Sequence, residues 1–70
     1  MGKPKLELTG ENGNAFAILG RARAALKKHL REQGKTPLQV KDEVERFTRE
    51  ATSGDYDHLL IVVNQWFEVE

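Results

Sequence analysis

The most chemically suggestive stretch of this 70-residue sequence is Asp55-Tyr56-Asp57-His58, where two carboxylates and an imidazole stand together. Groups of these types hold metal ions and transfer protons. Their spacing argues against both uses. On a helix Asp57 and His58 diverge by about 100°, whereas ligands that share a helical face stand three or four residues apart. Asp55 and His58 meet that condition, but two ligands without a further His or Cys cluster are too few for a stable site. Asp55 is expected instead to cap a helix, its carboxylate near the positive end of the helix dipole. His29 falls beside an apolar stripe and reads as a boundary residue. No serine or cysteine nucleophile motif occurs, and the chain contains no cysteine. The residues therefore assign no catalytic, metal or cofactor site, and the protein reads as non-enzymatic.

Two features suggest anion binding. The turn from Gly10 to Asn14 leads into a helix, and free backbone N–H groups there could hold a phosphate. It lacks the glycine spacing and the Lys-Ser/Thr ending of a P-loop, so a structural turn is the simpler reading. Arg23, Lys27 and Arg31 form an i, i+4, i+8 ridge with Lys28 and Arg21 nearby, and such a ridge tracks phosphates. Arg23, Lys27, Lys28 and Arg31 are the candidate nucleic-acid contacts. Against groove reading, no Lys or Arg follows Arg49, and the last helix of the chain carries Asp55 and Asp57. Phe16, Phe47, Tyr56, Trp66 and Phe67 are mostly assigned to the core, leaving few aromatics to stack on bases. A solvated basic face remains the plain alternative.

The other candidate surface is apolar. Ile61 falls on the polar side of the last helix, and with Trp66 and Phe67 near that helix's end it forms a candidate protein interface. The competing expectation is that Leu6 and Leu8 cover this surface within the same chain.

These side chains need elements to position them. Lys5 to Thr9 alternates polar and apolar residues, the pattern of a short half-buried strand over 5–9. The other short alternation, Phe67 to Glu70, is its candidate partner. Asn14 is a suitable N-cap for a helix over 15–33, in which Ile18, Leu19, Ala22, Leu26 and Leu30 gather on one side while Lys27, Lys28 and Arg31 face away. Gly20 costs that helix about 1 kcal/mol relative to alanine unless a close backbone approach compensates, and Gly34 is placed to end it in the left-handed conformation. Thr36-Pro37-Leu38-Gln39 is a capping box with proline at the first helical position. A helix over 37–52 follows, with Val40, Val44, Phe47 and Ala51 on its core face. Thr52, Ser53 and Gly54 break the pattern before a third helix over 55–67, whose apolar face includes Leu59, Leu60, Val63 and Val62. Short connections favour antiparallel neighbours, so the expected fold is mainly α, a three-helix bundle with a short N-terminal strand whose pairing with the C-terminal residues the sequence leaves open; α+β is the alternative class.

Composition sets the outer bounds. Seventy residues with 39% hydrophobic and 31% charged side chains describe one small domain spanning residues 1–70. At this size folding buries only roughly 60% of the unfolded chain's surface, so an enclosed catalytic cleft is hard to build. No apolar stretch approaches the roughly 20 residues of a membrane span, and Met1 to Lys5 is not followed by the apolar run of a secretory signal. A cytoplasmic location without membrane contact is expected. The zero net charge conceals an asymmetry: residues 1–35 carry eight cations against three carboxylates, and residues 36–70 carry three against eight. Such a division marks either a functional field or a basic and an acidic helix lying side by side.

Two segments are more specific. Gly13-Asn14-Ala15-Phe16-Ala17-Ile18, with Gly20-Arg21 following, and Glu50-Ala51-Thr52-Ser53-Gly54-Asp55-Tyr56-Asp57-His58-Leu59-Leu60 give the chain its resemblance, over roughly residues 6–69, to a family of small uncharacterised bacterial and phage proteins. The resemblance implies a shared fold and a mobile-element setting, and brings no activity, cofactor or site residue with it. Two functions are thus expected of this chain. The first is a non-catalytic helical module that binds another protein or self-associates, and the alternative is a nucleic-acid accessory protein using the basic face of the first helix.

Overall fold

The computed structural model describes residues 3–8 and 14–70. In chain order the elements are β1 (Lys5–Leu6), α1 (Ala15–Glu32), α2 (Pro37–Ala51), α3 (Tyr56–Trp66) and β2 (Glu68–Val69). The fold is mainly α, three helices with a short two-stranded sheet formed by the two ends of the chain. Of the strand expected over 5–9 only Lys5 and Leu6 form one; Glu7 and Leu8 lie beyond it, and Thr9, like the expected turn at Gly10, lies outside the described residues.

Each helix begins where a side chain can accept an otherwise unsatisfied backbone N–H. Asn14 Oδ1 accepts from the Ala17 N–H at 3.1 Å. At α2 the capping box is complete: Thr36 Oγ1 accepts from the Gln39 N–H at 3.2 Å, and Gln39 Oε1 accepts from the Thr36 N–H at 3.0 Å. Asp55 Oδ1 accepts from the His58 N–H at 2.9 Å, the role expected of that carboxylate. At its far end α1 closes with the Gly34 N–H donating to the Arg31 carbonyl and the Lys35 N–H donating to the Leu30 carbonyl. This pair of bonds requires a left-handed residue at Gly34, whose φ is +80°. Asp55 is the N-cap of α3 as expected, while Gln33, Thr52 and Phe67, expected as the last residues of their helices, are C-cap residues one position beyond them.

β1 and β2 run parallel, Lys5 opposite Glu68 and Leu6 opposite Val69. A parallel pair needs a long crossover, and the three helices supply it. The Glu68 N–H donates to the Pro4 carbonyl at 2.9 Å and the Glu70 N–H to the Leu6 carbonyl at 2.8 Å. Lys3 Nζ donates to the Asn64 carbonyl at 3.0 Å, tying the N-terminal segment to the last turn of α3.

The core takes Ile18, Ala22, Leu26 and Leu30 from α1, Val40, Val44, Phe47 and Ala51 from α2, and Leu59, Val62 and Val63 from α3, with Leu6 and Phe67 closing one side. Phe47, fully buried, is its centre. Its ring meets Trp66 edge-on at 5.4 Å between centroids and Phe67 edge-on at 5.5 Å, the arrangement aromatic quadrupoles prefer. No polar or charged side chain is buried among the described residues.

Two expectations about aromatics are corrected here. Phe16, read as a core residue, is 88% exposed. Its position explains this: it stands about 100° around α1 from the middle of the buried stripe. Phe67, read as part of an exposed patch with Ile61 and Trp66, is only 1% exposed. It leaves α3 in an extended conformation, φ −128° and ψ 156°, so the helical wheel no longer describes where its ring goes, and the ring packs on Phe47.

Candidate binding cleft between the first two helices

The structure commits the Asp55–His58 stretch to joining two helices. His58 Nε2 lies 2.9 Å from the Glu50 carbonyl oxygen and 3.1 Å from Ser53 Oγ. Ser53 Oγ itself donates to the Glu50 carbonyl at 2.8 Å. The imidazole and the serine hydroxyl thus add to the Ser53 backbone N–H, which reaches the same carbonyl at 3.4 Å, at the end of α2. Gly54 makes room for this contact, since a Cβ there would stand 2.8 Å from both Cβ and Cγ of His58. With Asp55 capping α3, this carboxylate and the His58 imidazole are both engaged in helix ends. Among the described residues no three His, Cys, Asp or Glu side chains gather as a metal site.

A cleft of about 400 Å³ lies between α1 and α2. Arg23, Lys27 and Arg31 line it from α1, Lys35 from the connecting loop and Lys41 from α2, over a floor of Pro37, Val40 and Val44. Glu45 is the one carboxylate in its lining. The ridge expected from i, i+4, i+8 spacing therefore exists and spans about 12 Å along α1. None of the five cations forms an ion pair with a carboxylate among the described residues. Five like charges over an apolar floor create a positive field that solvent answers only in part.

Lys28 does not join this cleft. It lines a separate shallow depression with Pro4, Lys5, Ala25, His29 and Glu32, because one residue of displacement rotates it about 100° from Lys27. Lys35 and Lys41 were not anticipated as partners of the ridge. Lys35 follows Arg31 by four residues, just past the end of α1, whereas Lys41 lies in α2 and only the packing of α2 on α1 brings it to the ridge.

The apolar candidates divide. Ile61 is 56% exposed on α3, Trp66 is half-buried against Phe47, and Phe67 is core. They do not form one surface patch. A second apolar depression of about 210 Å³ lies where the start of α1 meets the α2–α3 corner, lined by Phe16, Leu19, Ala51, Thr52, Tyr56 and Leu59 among others. No helix among the described residues is long and apolar enough to cross a membrane. No family model, curated protein or solved structure matches this chain.

Proposed function

We propose that this chain is a non-catalytic helical module that binds another protein, using the α1–α2 cleft as its contact surface. The observation that carries the reading is the convergence of Arg23, Lys27, Arg31, Lys35 and Lys41 on an apolar floor. Such a cleft offers a partner both charge complementarity, which sets encounter rate and register, and apolar area, which sets residence time. The engagement of Asp55 and His58 in helix ends supports a binding rather than a chemical role. A cytoplasmic setting goes with this reading, supported by a composition with 31% charged residues and no cysteine.

A second reading rests on the same cations: contact with nucleic-acid phosphates. Three features weigh against it. Glu45 places a carboxylate at the cleft, no aromatic side chain lines it, and Lys28 lies outside it. The two readings separate in an amide NMR titration with short single-stranded and duplex DNA at low and at physiological salt. The protein-binding reading expects DNA shifts at Arg23 to Arg31 that are confined to low salt. Saturable DNA binding that persists at physiological salt would overturn it in favour of nucleic acid.

A further inference from the structure

The basic cleft and the apolar depression at Phe16 lie along one seam. Phe16 and Arg23 are seven residues apart on α1, two helical turns, and so project within about 20° of each other. The same interval separates Val44 and Glu45, which line the basic cleft, from Ala51 and Thr52, which line the apolar depression. Both helices therefore present the two features on the same side of their packed pair, the apolar end at Phe16 and the basic end at Arg31 and Lys35. From Phe16 to Arg31 the seam runs about 22 Å along α1.

We infer that this seam receives an acidic amphipathic helix of a partner protein, its apolar anchor seated at Phe16 and its carboxylates along Arg23, Lys27 and Arg31. The inference rests on the protein-binding reading above and names the partner's chemistry. Charge complementarity selects the occupant: the basic end has five cations and one carboxylate, so a partner with spaced Glu or Asp side chains is favoured over a neutral or basic one. Spacing selects its conformation. The cations of the ridge recur every four residues, about 6 Å, and carboxylates at i and i+4 of a helix recur at that same rise. Phe16, at 88% exposure beside Leu19 and Tyr56, supplies an aromatic of the type that anchors interfaces. The pattern is that of a helix laid into a groove, with polarity imposed by the two unlike ends.

The test uses a roughly 16-residue helix-forming peptide, long enough to span the seam, with Leu and Trp in its first turns and Glu at four-residue spacing thereafter. A second peptide has the apolar anchors replaced by serine, and a short duplex DNA serves as polyanion control. Amide shifts should appear at both ends of the seam, at Phe16, Leu19 and Thr52 as well as at Lys27, Arg31 and Lys41. Phe16→Ser should weaken the anchored peptide about tenfold or more while leaving the serine peptide unaffected. Lys27→Glu should weaken both and flatten the salt dependence. Equal binding of both peptides, with shifts confined to the basic end, would overturn the seam while sparing the protein-binding reading. Absence of shifts with either peptide would also overturn the seam. Displacement of the peptide by DNA at physiological salt would overturn the protein-binding reading itself. Concentration-dependent shifts at the same residues in the protein alone would overturn the assignment by making a second copy the occupant. Phe16 and Lys27 are exposed, so both variants keep the core, and unchanged circular dichroism verifies it.

Discussion

His58 Nε2, in the first turn of α3, stands 2.9 Å from the carbonyl oxygen of Glu50 in the last turn of α2. One side chain thereby closes the end of one helix while its own backbone N–H is taken by the cap of the next, Asp55. The corner between α2 and α3 is stapled by these two bonds, and its geometry depends on the absence of a side chain at Gly54.

His58→Ala should destabilise the fold by about 0.5–1 kcal/mol, the net worth of one partly exposed hydrogen bond, because Ser53 still donates to the Glu50 carbonyl. Gly54→Ala should also destabilise, because the new Cβ would meet the His58 ring base at 2.8 Å and push it from Glu50. Urea unfolding followed by circular dichroism measures both. A Gly54→Ala protein as stable as the parent would show that the corner adjusts without losing the bond.

Two further glycines should respond in opposite directions. Gly20 lies inside α1 with open space where a Cβ would go, so Gly20→Ala should stabilise by about 0.5–1 kcal/mol. Gly34 has φ +80°, and Gly34→Ala should cost about 1 kcal/mol although nothing obstructs the Cβ. Thermal midpoints of the two variants provide the comparison.

Ile61→Ser should leave stability within about 0.5 kcal/mol of the parent, as exposed positions do. Phe67→Ala should cost about 3–5 kcal/mol, comparable to everything a core of this size supplies. It should also alter Trp66 fluorescence, since both rings pack on Phe47. Equal effects at the two positions would contradict the division between surface and core along α3.

Lys27 has Arg23 four residues before it and Arg31 four residues after, two like-charge neighbours on one helix face. Lys27→Glu should convert both to attractive pairs and raise stability by about 0.5 kcal/mol at low ionic strength, an effect that fades as salt rises. A variant that is more stable yet binds an acidic peptide less well would identify the cation cluster as maintained at the expense of stability.

The relation of sequence to structure differs by range. Asn14, Thr36 with Gln39, Asp55 and Gly34 take the positions expected of them, because each cap closes hydrogen bonds within three or four residues and depends on little beyond its neighbours. The buried stripes of α1 and α2 were legible for the same reason, as period 3.6 is local geometry. Phe16 was misplaced: its hydrophobicity suggested a core position, whereas the wheel sets it with Arg23 and away from Ile18, and it is exposed.

What the sequence by itself determined is therefore the three helices, their caps at Asn14, Thr36, Asp55 and Gly34, and the face each turns inward. Tertiary structure alone decided that the chain ends pair in parallel, that Phe67 leaves its helix to pack on Phe47, that His58 reaches Glu50, and that Lys41 joins Arg23, Lys27 and Arg31 around one cleft. The physical reason is common to all four. Each relationship crosses from one element to another, and the spacing of residues along a single helix carries no information about which turn of a neighbouring helix will lie beside it once their apolar faces are buried together.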